Sequence, residues 1–420
     1  MTATTASRPR IVSLDIVRGY AVMGILAMNI IAFALPMTAY MNPTSYGMDS
    51  PADLASWVFG FIFVDGKMRG LFSFLFGASM LLVIELARSK ERNAAAVHYR
   101  RMFWLALFGL GHYYLIWWGD ILFHYAVIGM LAWFFRNRGT RALVGWAAGF
   151  LVLQVLLMGL FAASTIALGA AASEPGAAPE LVAQWQEMKQ NIGIASATDI
   201  GDELALYGGG YAGILAYRTG EAASMPFQGL AFFGAETLAY FLLGMAALKS
   251  GFLTGEWTKR AYRTVALVGF AVGIPTYGLL AWMLIENDFS VPMIVALGFA
   301  ATIVVRPAMI YAFAALILLL SRPGRAFTER VAAAGRAAFT NYIGTSIVMT
   351  FLFYGYGLGL FGQLTRIELW LPVVAMWALM LIWSKPWLER WRYGPFEWLW
   401  RSLARWRIEP LRKPLPAAAE

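Results

Sequence analysis

Stretches of about 17 or more apolar residues recur along most of this 420-residue chain, and each is long enough to cross about 30 Å of hydrocarbon. The chain is 60% hydrophobic and 14% charged. Both values depart towards a membrane protein from the soluble norm of about half apolar and a quarter charged. Barrel strands alternate apolar and polar side chains, and these runs do not, which argues against a β-barrel. The expected fold class is therefore all-α, a polytopic membrane helical bundle of about ten transmembrane helices. The spans read as 20–36, 55–87, 102–118, 121–135, 142–171, 228–250, 262–285, 291–320, 332–356 and 367–384.

Charge tests that count. Segment 88–101 carries five basic residues and one acidic, 249–263 four and one, and 321–330 three and one. Arg136, Arg138 and Arg141 follow the fourth span. With ten spans all of these fall on one side. Segment 172–227, with seven acidic residues and two basic, falls on the other. Basic loops are retained in the cytoplasm, so both termini are expected there. The N-terminus lacks a small-residue cleavage site after a short apolar core, so the first span is expected to stay.

Two spans can be read in two ways. Residues 55–87 contain FVDGKMRGLF, with Asp65, Lys67 and Arg69 deep in the run, and 291–320 place Arg306 and Pro307 in the middle. Each is one kinked crossing or two half-helices. Counting 291–320 twice would move the basic 321–330 loop outside, so one kinked crossing is expected there. Proline removes a helix donor and is tolerated where neighbouring groups take up the freed carbonyl.

The domain reading is a bundle over 1–384, with 172–227 as an extracytoplasmic loop region, and an amphipathic tail over 385–420. The stretch PELVAQWQEMKQNIG reads as an amphipathic helix and YGGGYAG as a turn, so the loop region either caps an outward cavity or simply connects two spans. The tail interleaves five tryptophans with eight basic and three acidic residues over 385–413. After a tenth span that pattern fits the headgroup plane, with membrane lipids as partners. The net charge of +9 is explained the same way, and no nucleic-acid partner is expected. There are no cysteines, so disulfide and thiolate chemistry are excluded.

Ionisable groups inside spans are functional candidates by default. Asp15 and Arg18, three apart, share a helix face and can pair. Asn29 lies eleven residues beyond Arg18, within roughly 20° of the same face and about 16 Å along the axis. Gly19 and Gly24 on that helix permit close packing by another helix. In GHYYLIWWGDILFHYAVIG, His112 and His124 flank a turn at Trp118–Gly119 and sit at similar depth, with Asp120 four residues before His124. Two imidazoles and a carboxylate there suit general acid–base work, Asp120 orienting an imidazole. They are a weak zinc set, and no metal site is expected. Lys67 and Arg69 would attract an anion, unless Asp65 neutralises Arg69. Arg336 and Asn341 open the ninth span, where packing and hydrogen bonding is the simpler role. Walker loops, G-x-S-x-G elbows and H-E-x-x-H are absent from the sequence.

Taken together, these blocks resemble the YeiB-like family of bacterial membrane proteins. The blocks are SLDIVRGYAVMGILAMNI, KMRGLFSFLFGAS, GHYYLIWWGDILFHYAVIG, AGRAAFTNYIGTS and RWRYGPFEWLWR, in that order. The resemblance implies a multi-pass protein of the bacterial inner membrane. That family is distantly similar to the transmembrane acyltransferases, including heparan-glucosaminide N-acetyltransferase and bacterial O-acyltransferases. In the O-acyltransferases a first-helix Arg is followed, after ten intervening residues, by a catalytic His. Here the Arg is Arg18 and the position with that spacing is Asn29, which cannot accept a proton near neutral pH.

The expected function is transfer of an acyl group from a cytoplasmic donor such as acyl-CoA to an extracytoplasmic lipid or glycan acceptor. The expected site is a polar cavity lined by spans 1 to 4 and 9. Arg18, Lys67 and Arg69 would hold the anionic donor. His112, oriented by Asp120, would be the base, and Asn29 would support the oxyanion. No tightly bound cofactor is expected. Asp15, Asp65, His124, Arg336 and Asn341 would complete the polar cavity. The alternative is a non-enzymatic transporter or channel for an anionic or amphiphilic solute. A structural subunit whose tail docks a partner is a third reading, and the glycine-rich helices permit a homodimer.

Overall fold

The computed structural model describes residues 11–322 and 324–413. It is a helical bundle without strands among the described residues. In chain order the helices are α1 (Val12–Ala34), α2 (Met37–Met41), α3 (Pro51–Phe59), α4 (Lys67–Ser89), α5 (Ala94–Leu115) and α6 (Leu122–Ala132). There follow α7 (Thr140–Ala172), α8 (Pro179–Ile192), α9 (Ala197–Gly208), α10 (Tyr211–Thr219), α11 (Met225–Lys249) and α12 (Lys259–Glu286). The last six are α13 (Val291–Met293), α14 (Thr302–Leu320), α15 (Ala326–Arg336), α16 (Ala338–Phe353), α17 (Trp370–Arg390) and α18 (Pro395–Arg405). Local chemistry sets several starts. Ser50 accepts from the Asp53 amide with Pro51 at the first helical position, and Asn93 and Thr258 accept from Ala96 and Ala261.

Seven helical runs are long and apolar enough to cross a membrane, and Leu122–Phe135 and Ala338–Phe353 are shorter apolar helices. With α5, about 33 Å long, these account for all ten sequence spans. The run Pro51–Ser89 is two half-helices: a π-helical turn, Gly60–Val64, leads into Asp65 and Gly66, and α4 starts afresh. Gly66 has φ of 68°, the left-handed region that glycine enters without a Cβ penalty. The run Val291–Leu320 stays continuous, π-helical over Ile294–Ala301 and helical through Pro307.

The ninth span departs from a single helix. It breaks at Ala337 into α15 and α16, because side chains take over backbone partners there. Asn341 Nδ2 donates to the Ala334 carbonyl at 3.0 Å. The tail residue Glu397 accepts from the Phe339 and Thr340 amides at 2.7 and 3.1 Å.

Buried α11 packs against α4, α6 and α7, while α7 turns Leu156 and Leu160 outward, as lipid contact requires. α1 packs closely on α15: Gly19 faces Val331, and Gly335 faces the Asp15 carbonyl, with room for no side chain at either. Ser13 Oγ donates to Leu253 O at 2.7 Å, and Trp400 Nε1 to Arg101 O at 2.9 Å. Those contacts mark the face where the described chain begins and ends. On the opposite face, Tyr113 donates to Ala222 O at 2.6 Å and the Gly355 amide to Tyr207 O at 2.8 Å. Segment 172–227 therefore covers the ends of α5 and α16 on that face. α18 docks Trp400 on Arg101 of α5 and on Phe339 at the start of α16; residues 414–420 of the tail lie outside the described residues.

Candidate functional site

α5 ends where the His112 carbonyl accepts from both the Ile116 and Trp117 amides, and the chain turns into α6. Asp120 caps that next helix: its Oδ2 accepts from the Phe123 amide at 2.8 Å. Its Oδ1 lies 2.9 Å from His112 Nδ1. A carboxylate at Nδ1 accepts the proton carried there, so in a neutral ring Nε2 is the nitrogen with the lone pair. The imidazole is fully buried, and Nε2 has no hydrogen-bond partner. An unsatisfied buried acceptor costs about 1–3 kcal/mol, so its retention asks for a role.

The ring centroid of His112 is 5.1 Å from Tyr342 and 6.3 Å from Trp117. Both rings also line a narrow pocket, with Asn29, Phe33, Thr345 and Ser346. Tyr342 is held by the turn, its hydroxyl accepting from the Ile121 amide at 3.2 Å. Trp117 stacks on Phe33 at 3.8 Å. The side chain of Asn29 makes no hydrogen bond to another described residue. α1, the α5–α6 turn and α16 thus set Asn29 on the pocket and the His112–Asp120 pair behind its Trp117 and Tyr342 rings.

A second polar group surrounds the break at Gly66. Lys67 is buried; its ammonium donates to the Phe61 carbonyl and sits 3.2 Å from the centre of the Tyr277 ring. Arg69 Nη2 pairs with Glu236 Oε2 at 2.9 Å, while Glu236 Oε1 pairs with Arg306 and accepts from Tyr240 at 2.8 Å. Arg306 also donates to Thr302 at 2.6 Å. Arg69 is thus paired with Glu236, which it shares with Arg306, rather than with Asp65, because α11 delivers a carboxylate across the bundle. Asp65 is exposed, 3.5 Å from the Tyr40 hydroxyl, on a groove it shares with Tyr40, Trp57 and Arg366. His124 donates to or accepts from Thr237 at 2.8 Å and faces this second group, apart from the His112–Asp120 pair.

Arg18 lies at the opposite end of α1, with a quarter of its side chain exposed. It pairs with Asp15 at 3.1 Å and donates to Ser79 at 2.6 Å. Ser79 is ten residues, about 15 Å, along α4 from Arg69. One donor head group does not meet Arg18, Lys67 and Arg69 together, since the last two are engaged inside the bundle. Asn341 is engaged as well: besides Ala334 it contacts Ser384 at 3.3 Å and accepts from Trp383 at 2.9 Å. Arg336 closes α15 beside that junction. The single cavity expected from spans 1 to 4 and 9 is in fact divided between the His112 layer, the Glu236 network and the α15–α16 junction.

Over 420 aligned residues the chain is 31% identical to the "Uncharacterized protein YxaH" of Bacillus subtilis (strain 168), covering 97% of this chain and 98% of the relative. It is 31% identical over 417 residues to the "Uncharacterized protein YeiB" of Escherichia coli (strain K12), covering 94% and 96%. The chain belongs to the YeiB-like family. Residues 247–407 match the family model described as "Protein of unknown function (DUF418)". A Bacillus acidopullulyticus protein, the "Uncharacterized 39.9 kDa protein in amylase 3'region", is 26% identical over 412 residues. No solved structure matches. The YeiB-like match spans both polar groups, and the family-model match covers α12 to α18, including Arg306 and Tyr342.

Reading the sequence alone passed over Glu236 and Tyr342. Glu236 is the sole acidic residue within 225–249, and a carboxylate inside a span is itself a signal. Tyr342 carries no such signal; only the folding of α16 against the α5–α6 turn gives it a place.

Proposed function

We propose that this membrane-embedded protein transfers an acyl group to an acceptor hydroxyl or amine at the pocket between α1, α16 and the α5–α6 turn. The carrying observation is the buried His112–Asp120 pair with an unpartnered Nε2, packed on the two rings that line the pocket with Asn29. Nε2 takes the proton of the acceptor as its oxygen or nitrogen bonds to the acyl carbonyl carbon. The Asn29 amide donates to the developing oxyanion. The bond to the donor sulfur then breaks, and the imidazolium returns its proton to the departing thiolate. Asp120 stabilises the imidazolium and holds the tautomer.

The donor in this reading is a cytoplasmic acyl thioester such as acyl-CoA, its phosphates near Arg18, and the acceptor is an extracytoplasmic lipid or glycan. The protein would lie in the bacterial inner membrane with both termini cytoplasmic, as the basic loops favour. His112→Ala, expressed and folded as wild type, is expected to lower formation of the acylated product about 100- to 10,000-fold, measured by lipid and glycan mass spectrometry of cells and by thioester consumption in proteoliposomes. Unchanged product would refute the reading.

One observation favours transport instead: a helix broken at Asp65–Gly66 beside Arg69, Glu236 and Arg306, an arrangement that transporters use at their binding sites. Counterflow of labelled solute in liposomes without any acyl donor would support that alternative, which predicts no chemical change.

A further inference from the structure

The face opposite the chain ends holds a buried cation that the acyl-transfer reading does not use. Arg218, near the end of α10, is 0% exposed, and its Nε, Nη1 and Nη2 have no hydrogen-bond partner. Tyr354, at the end of α16, is also 0% exposed, and its hydroxyl is set towards Arg218 without well-formed hydrogen-bond geometry. The guanidinium carbon lies 5.9 Å from the centre of the Tyr354 ring. Tyr207, 4.8 Å from Tyr354 by ring centroids, faces the same space. Its neighbour Glu203 makes no hydrogen bond or ion pair with Arg218; its carboxylate accepts from the Met37 amide instead, at 2.9 and 3.1 Å.

The imbalance has a sign. Three guanidinium nitrogens carry only donors, and the one hydroxyl set against them, that of Tyr354, is neutral and can accept as well as donate; no carboxylate among the described residues pairs with Arg218. A buried, unpaired guanidinium is among the costliest groups a protein can hold, and one planar oxyanion would satisfy two of its N–H groups side by side. Water offers acceptors without charge and leaves the cation uncompensated.

We propose that Arg218 and Tyr354 form an oxyanion site, taking a carboxylate or phosphate group beneath segment 172–227. Both a free solute and the head group of an anionic lipid carry that chemistry. Binding ties α10 to the end of α16, so occupancy stabilises the fold.

The test uses the purified full-length protein. Thermal unfolding is followed with increasing sodium phosphate or acetate against sodium chloride at matched ionic strength, and in nanodiscs of phosphatidylcholine with or without phosphatidylglycerol. A saturable rise in Tm is expected. A rise with phosphate or acetate identifies a solute site, and a rise confined to phosphatidylglycerol a lipid head group. Arg218→Met should abolish the rise. Tyr354→Phe, which removes one donor and keeps the ring, should raise the half-saturating concentration about tenfold. Arg218→Lys should retain a weaker response. No saturable rise in any arm with the wild type would overturn the proposal. So would an undiminished rise in Arg218→Met or, where that variant does not fold, in Tyr354→Phe.

Discussion

Glu236 reaches Arg69 across the bundle at 2.9 Å and holds Arg306 with its other oxygen, so one carboxylate joins α4, α11 and α14. The arrangement is two arginines, Arg306 buried and Arg69 partly so, on one buried acid. Removing the acid therefore strands two cations, which costs more than the pair contributes when intact. Glu236→Gln is expected to destabilise the protein by about 3–5 kcal/mol, read as a fall in Tm in detergent. Adding Arg306→Met should recover part of that loss. A Glu236→Gln protein as stable as wild type would show that the network is not closed as described.

Glu203 lies outside the membrane-spanning segments, and burial pushes its carboxyl up to about 7. The folded value is above the unfolded one of about 4.5. Its contribution to stability is therefore complete below about pH 4.5 and is lost as the pH rises through 7. The loss is at most about 3 kcal/mol. Wild-type Tm should fall between pH 5 and 8, and Glu203→Gln, which keeps an acceptor for the Met37 amide, should flatten that slope. A slope identical in the two proteins would remove Glu203 as its source.

The apolar runs and the basic loops were enough to place ten spans, because length and charge are local properties of a sequence. The pair His112–Asp120 was legible too, since a tight turn forces residues on its two sides together. Arg69 was not. Its partner is 167 residues away on α11, and sequence spacing along one helix pointed to Asp65 instead. The break at Ala337 was equally hidden, because it depends on Asn341 and on Glu397, a tail residue that no local pattern links to α16.

Close approach of α1 and α15 gives a prediction at Gly335. A Cβ there would run into the Asp15 carbonyl and the Gly19 amide, which are backbone and cannot swing aside. Gly335→Ala is expected to destabilise by about 1–3 kcal/mol, and Gly335→Val by more. The displacement acts on the turn of α1 that carries Arg18. Tm measurements with Ala at positions 335 and 344 make the comparison, since Gly344 faces open space and should tolerate the change. Equal effects at the two positions would contradict the close packing.

Glu397 ties the tail to the bundle. One oxygen accepts from the Phe339 and Thr340 amides, and the other takes the Thr340 hydroxyl at 2.5 Å. Those amides open α16 after the break, where the backbone offers them no helical partner. Glu397→Ala leaves them unsatisfied and is expected to cost about 1–3 kcal/mol. The loss should appear first as release of α18. Trypsin should then cut at Arg401, Arg405 or Arg407 faster than in wild type, while the membrane-spanning part stays intact. Glu397→Gln, which retains an acceptor oxygen, should fall between the two. Cleavage at the wild-type rate in Glu397→Ala would mean that the tryptophans of α18, and not this carboxylate, hold the tail in place.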